Sequence, residues 1–318
     1  MGRPYAVLLT GSALSAALLV LLGHVFELDF GAVASTLGSV PRPVYLAVAA
    51  LEFLNLLAGA QKWRVSAGYF QPGAARPSLL ESLEATALGS LFGQILPAQV
   101  GTAAARAAFG ARRNGAGMAV WTTIHEQLFD LVALCAVGAA AGLAFAARLE
   151  PTTAAALGTV AVLAGFVSAQ GAFALGARAA AWLPAASPRF QALPLSAPAR
   201  TLAQAASAPW RVPAALLALS LVRLALMAGR ALIVCAAILP AASLYVVALG
   251  FPAVQLLTAV PAAPGGLGIA EWSWTGVLSS AGAPAQQAAE AAIVIRLVAL
   301  AAFALVLAAV FARRLLAR

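Results

Sequence analysis

Residues 242–281 read ASLYVVALGFPAVQLLTAVPAAPGGLGIAEWSWTGVLSSA, and their only charged residue is Glu271. A stretch this apolar belongs in hydrocarbon, yet it is interrupted at Pro252, at Pro261 and then by Pro264-Gly265-Gly266-Leu267-Gly268. Proline removes a helical donor and glycine loosens the backbone, so the segment is expected to break in mid-membrane. Broken backbone at that depth is tolerated only where it is buried in protein or lines a wet cavity. The expectation is a re-entrant helical hairpin inside a larger membrane bundle.

The rest of the chain agrees. Of 318 residues, 63% are hydrophobic and 9% charged, with a mean hydropathy of +0.95. Soluble domains carry about 25% charged residues, which excludes that class. Runs of the ~20 residues needed to cross ~30 Å of hydrocarbon recur at about 5–25, 43–61, 116–147, 153–176, 213–238 and 288–311. The first is longer than a signal-peptide core and lacks a convincing cleavage site, so it is read as a retained span. A second broken region, 79–112, is interrupted at Pro97 and Gly101. The fold class is therefore an all-α polytopic membrane protein, with about six full transmembrane helices and two opposed re-entrant hairpins. One domain spans 1–318, with a first half to about 176, a linker over 177–212 and a second half from about 213.

Eighteen arginines and one lysine face 10 acids, a net charge of +9. With the N-terminus inside and each hairpin returning to its own side, Lys62 and twelve arginines fall on the cytoplasmic face. Only Arg42 and Arg148 fall outside, near Glu27, Asp29 and Glu150. That asymmetry follows the positive-inside rule and puts both termini in the cytoplasm. It also accounts for the basic excess without nucleic acid. Paired interruptions in two halves, Pro97-x3-Gly101 and Pro264-x3-Gly268, are the pattern of an inverted repeat around a midplane site.

Eight charges lie too deep for loops: Arg106, Arg223, Arg230 and Arg296, and Glu52, Glu126, Asp130 and Glu271. Each costs at least ~2.5–3.5 kcal/mol at the bilayer centre, so they are expected to pair or to face a hydrophilic cavity. Glu126 and Asp130 are one turn apart on one helix face, and Arg223 and Arg230 two turns apart. Arginine forks suit a phosphate. The candidate substrate-binding residues are therefore Arg106, Glu126, Asp130, Arg223, Arg230, Glu271 and Arg296. Pro97, Gly101, Pro264, Gly265, Gly266 and Gly268 would form the breaks that line the cavity.

No zinc helix, serine elbow or P-loop occurs, and no acid cluster suited to a metal, so no metal, no cofactor and no catalytic residue are expected. Cys135 and Cys235 fall in separate apolar runs and support no disulfide framework.

At these same residues the chain resembles the flippase-like membrane family, the transmembrane region of lysylphosphatidylglycerol synthase and its stand-alone relatives. Three blocks carry the likeness: Asn55 to Lys62-Trp63-Arg64; Phe92 through Pro97, Gly101 and Arg106 to Glu126-Gln127-Leu128-Phe129-Asp130; and Pro264 to Glu271 followed by Gly282 and Arg296. Gln127, Gln99 and Thr102 depart from the residues the family tends to show. The resemblance implies translocation of a phospholipid or polyprenyl-phosphate-linked lipid between leaflets of a bacterial cytoplasmic membrane. Partners of that class are a lipid synthetase, a glycosyltransferase or a second copy of the chain. Ending at Arg318 without a synthetase domain, the chain is not expected to aminoacylate a lipid. Two other readings stay open: an intramembrane headgroup-modifying enzyme with Glu126 or Asp130 as base, and a non-transporting accessory subunit.

Overall fold

The computed structural model describes residues 3–70, 76–94, 96, 98–110, 116–186, 203–259 and 263–316. Among them the chain forms eleven α-helices of ten residues or more and no strand. In chain order they are α1 (Arg3–Val25), α2 (Phe30–Ser39), α3 (Arg42–Phe70), α4 (Leu79–Phe92), α5 (Ala98–Gly110), α6 (Ala116–Ala146), α7 (Pro151–Ala186), α8 (Arg211–Ile238), α9 (Leu244–Ala259), α10 (Ile269–Ser280) and α11 (Ala285–Leu316). The protein is an all-α polytopic membrane protein. Helices α3, α6, α7, α8 and α11 each contain a long apolar stretch able to cross a bilayer. Helices α1 and α2, bent 95° apart where Asp29 caps the Gly31 N–H, make a sixth candidate span when taken together.

The two broken regions form hairpins of short helices. Limbs α4 and α5 have 14 and 13 residues, about 20 Å each at 1.5 Å per residue. Limbs α9 and α10 have 16 and 12. None matches the ~30 Å hydrocarbon thickness, as expected for re-entrant limbs.

Helices α3 and α8 pack along their lengths in opposite directions: Leu51 lies against Gly229, whereas Gly59, further on, meets Arg223. Each is followed by a hairpin and then by a long helix, α6 or α11. The two hairpins therefore start from opposite ends of the bundle. Their tips touch: a Cβ at Gly265 would stand 2.8 Å from the Gln94 carbonyl oxygen.

The two turns are built differently. In the second, Gly265, Gly266 and Gly268 adopt φ of +56°, +66° and +82°, which only glycine takes without strain, and Pro264 opens the 3-10 turn. Gly268 also nests against α1, where a Cβ would come within 2.5 Å of the Leu18 Cβ. The Trp272 indole N–H donates to the Leu18 carbonyl. In the first hairpin, Gly101 lies inside α5, not at the break, which is a correction. It serves close packing: a Cβ there would reach 2.6 Å from the Gly93 nitrogen, and one at Gly89 2.8 Å from Thr102 Cα. The turn itself runs through Gly93, in ordinary right-handed geometry, and Gln94. Pro97 lies outside the described residues, as do Pro261, Arg112, Arg113 and residues 187–202 of the expected linker, with Arg189 and Arg200. The Pro-x3-Gly match is thus a coincidence of spacing as far as its glycines are concerned.

Three further expectations change. Pro252 sits inside α9 without ending it, buried beside Gly138 of α6; neighbouring helices tolerate such a proline within a membrane. Helix α7 runs on to Ala186, because the alanine-rich stretch after residue 176 favours helix over linker. Helix α3 runs nine residues past its apolar stretch, which takes Lys62 and Trp63 into the bundle.

The glycines yield a graded test. Gly268→Ala combines a left-handed φ with steric overlap, and about 2–4 kcal/mol of stability should be lost. Gly282→Ala meets a φ of +102° but open space, and about 1–2 kcal/mol should be lost. Thermal unfolding in detergent should rank them in that order; equal shifts would disprove the α1 contact.

Candidate functional site

All eight deep charges are paired, one base to one acid. Arg106 of α5 bonds Glu126 of α6, and Arg230 of α8 is ion-paired with Glu52 of α3. Arg223 of α8 reaches Asp130 of α6 at 2.8 Å, and Arg296 of α11 reaches Glu271 of α10 at 2.8 Å. The pairing rests on helix periodicity. Glu126 and Asp130, one turn apart, offer two carboxylates to two different elements, while Arg223 and Arg230 send two guanidiniums to different helices.

The hairpins are fastened alike but with reversed polarity. The second limb of the first hairpin contributes the base, Arg106, and the following helix the acid, Glu126. The second limb of the other contributes the acid, Glu271, and the following helix the base, Arg296. Glu271 also accepts the Gly268 N–H through its other oxygen at 2.6 Å, and Arg296 donates to the Gly265 carbonyl at 3.0 Å. Arg296 therefore ties the positive-φ turn to the bundle.

Two buried ionisable residues enter unannounced by the sequence reading. Lys62, assigned there to the cytoplasmic face, is fully buried and bonds Asp130 at 2.6 Å and the Glu126 carbonyl at 3.0 Å. Asp130 thus bridges Lys62 and Arg223. Glu84 of α4 is also buried. Lys62 stood where an apolar run ended, the usual sign of a loop, and only its one-turn spacing from Ala58 and Gly59 hinted at a continuing helix. Trp63 follows it inside, with the Arg106 guanidinium over its ring at 5.3 Å.

Among the described residues, the candidate binding charges line two separate cavities rather than the single one expected. One, of about 430 Å³, lies between the first hairpin, α6 and α8; Arg106, Glu126, Asp130 and Arg223 line it with the hydroxyls of Thr86, Ser90 and Thr102. Ile124, Leu128 and Leu131 of α6 form its apolar lip and are exposed on the bundle surface. The other, of about 140 Å³, lies between the second hairpin, α8 and α11, and holds Arg230, Glu271, Arg296, Gln255 and Trp274. Arg223 and Arg230 belong to different cavities, about 10 Å apart along α8. In the larger cavity's wall, Arg106 Nε and Glu126 Oε2 lack a hydrogen-bond partner among the described residues.

His125 is buried among Phe70, Phe129 and Phe173, ring centroids 4.8–5.4 Å away, with Ser66 Oγ at 3.5 Å, and is part of that aromatic packing. No group of three or more metal-ligating side chains occurs among the described residues.

No curated protein matches the chain. The family model for the lysylphosphatidylglycerol synthase TM region matches residues 8–308, which include both hairpins, both cavities and the ion pairs described above, and the chain belongs to that family.

Proposed function

We propose that this protein translocates an amphiphilic lipid with a phosphate in its headgroup, a phospholipid or a polyprenyl-phosphate-linked lipid, between the leaflets of a bacterial cytoplasmic membrane. Family membership supports a membrane-lipid role. The observation that carries the reading is the larger cavity, whose floor is charged and whose lip is apolar and faces outward. A headgroup fits the floor while the tails stay in the bilayer.

The paired state suits the empty site. A phosphate entering the larger cavity exchanges with the carboxylates on Arg106 and Arg223, so no arginine is left bare in a low-dielectric interior. Glu126 and Asp130 then meet any cationic part of the headgroup, and Lys62 keeps hold of Asp130. The second arginine pair, Arg230 and Arg296, waits in the smaller cavity. Parting of the hairpin tips passes the headgroup from one pair to the other. In this reading the protein is a transporter rather than an enzyme, with both termini cytoplasmic.

The test is reconstitution into liposomes carrying a fluorescent anionic phospholipid, with external quencher added. Protein-dependent loss of the fraction shielded from quencher supports the reading. Unchanged shielding sinks it, and so does chemical conversion of the lipid.

A further inference from the structure

We infer a second lipid site on the α6–α9 seam, apart from the charged cavities, that takes one chain of an anionic phospholipid and sets its phosphate on Arg148. Two cavities meet there. One, of about 330 Å³, is an apolar groove between α6 and the second hairpin, with Gly138, Gly142, Gly250 and Gly276 in its walls. The other, of about 510 Å³, lies at the α6 C-terminus. They share Phe145, Val246 and Leu249, so they form one continuous furrow.

The furrow has the polarity of a lipid. Its length is apolar, and its end carries Arg148, the one charged residue lining either part among the described residues. The arginines of the two charged cavities are each held by a carboxylate, but Arg148 has none within ion-pair distance among the described residues. A cation at the end of a greasy furrow, at the level where a helix leaves the membrane, complements a lipid phosphate. Arg148 is also held in place. It lies in the turn two residues past α6 with φ of +51°, the Leu149 N–H bonds back to the Ala144 carbonyl, and the Tyr245 hydroxyl donates to the Leu149 carbonyl at 2.8 Å. Counting from Gly138 to Arg148, the furrow runs about 15 Å along α6, enough for the upper part of an acyl chain. The charge asymmetry of the loops puts this end outside, so the site takes lipid of the outer leaflet.

Glycine geometry supplies a clean probe. Cβ atoms at Gly142 and Gly276 meet nothing within 4 Å, so Gly142→Leu fills the groove without a backbone clash. In liposomes, phosphatidylglycerol and phosphatidylcholine bearing a diazirine on one chain are photolysed against the full chain, and the adducts are mapped by peptide mass spectrometry. Phosphatidylglycerol should label residues 138–146 and 246–250 at least 5-fold more than phosphatidylcholine does. Arg148→Gln should remove that preference, and Gly142→Leu should remove the groove adducts of both lipids. Labelling of residues 124–131, in the larger charged cavity, should be unchanged in both variants and serves as the folding control. Equal groove labelling by the two lipids in the wild type, or a preference that survives Arg148→Gln, overturns the proposal. Neither result bears on translocation, which is measured separately.

Discussion

Asp130→Asn should lower the stability of the folded protein by about 3–5 kcal/mol, whereas Lys62→Met should lower it by less than about 1.5 kcal/mol. The asymmetry follows from who is left alone. Asp130 neutralises two cations, the fully buried Lys62 and the quarter-exposed Arg223. Without its charge, Lys62 keeps only the Glu126 carbonyl and Arg223 only Asn55. A buried ammonium stranded in this way loses the partner that offset its desolvation. Removing Lys62 strands nothing, because Asp130 retains Arg223, and methionine fills nearly the same volume. The double variant Lys62→Met/Asp130→Asn should recover at least half of the loss. Unfolding in detergent, followed by heat or denaturant, measures all three. If Lys62→Met proves as costly as Asp130→Asn, Asp130 is not the hub of this network.

Arg223→Gln should cut translocation of an anionic phospholipid about 10- to 100-fold while leaving stability nearly unchanged. A charge-assisted hydrogen bond to phosphate contributes about 1.5–3 kcal/mol, and each 1.36 kcal/mol is a factor of ten in rate. Arg223 is the cleanest arginine to remove, since Lys62 goes on neutralising Asp130. Arg296 is the least clean, because its loss strands Glu271, 2% exposed, and frees the Gly265 carbonyl at the hairpin tip. The measurement is the liposome assay with matched amounts of folded protein. Arg223→Lys, which keeps the charge but not the fork, should lie between wild type and Arg223→Gln. Wild-type rates in both variants would remove the larger cavity from the lipid path.

The membrane fold was legible in the sequence because hydrocarbon imposes a length and a polarity that twenty apolar residues satisfy in any context. So were the second break, whose three glycines take conformations other residues avoid, and the depth of the eight charges. Spacing along a helix even told which charges share a face. It could not tell which element each face meets, because that depends on how α3 and α8 cross and which hairpin leans on which helix.

Three results therefore belong to the tertiary structure alone. Lys62 is interior, although its sequence neighbours mark the end of an apolar run, because α6 presents Asp130 to it from 68 residues away. Among the described residues the candidate binding charges line two cavities with no lining residue in common, because α8 turns Arg223 toward α6 and Arg230, two turns on, toward α3. Gly101 is a packing residue, because its role is set by the backbone of α4 beside it. That the charges had to be paired within a broken membrane bundle followed from residue type and depth, since burying them alone is too costly. Only the packing of the helices decided the partners, since a pair forms where two faces meet in space, and that is not written in the spacing of either one.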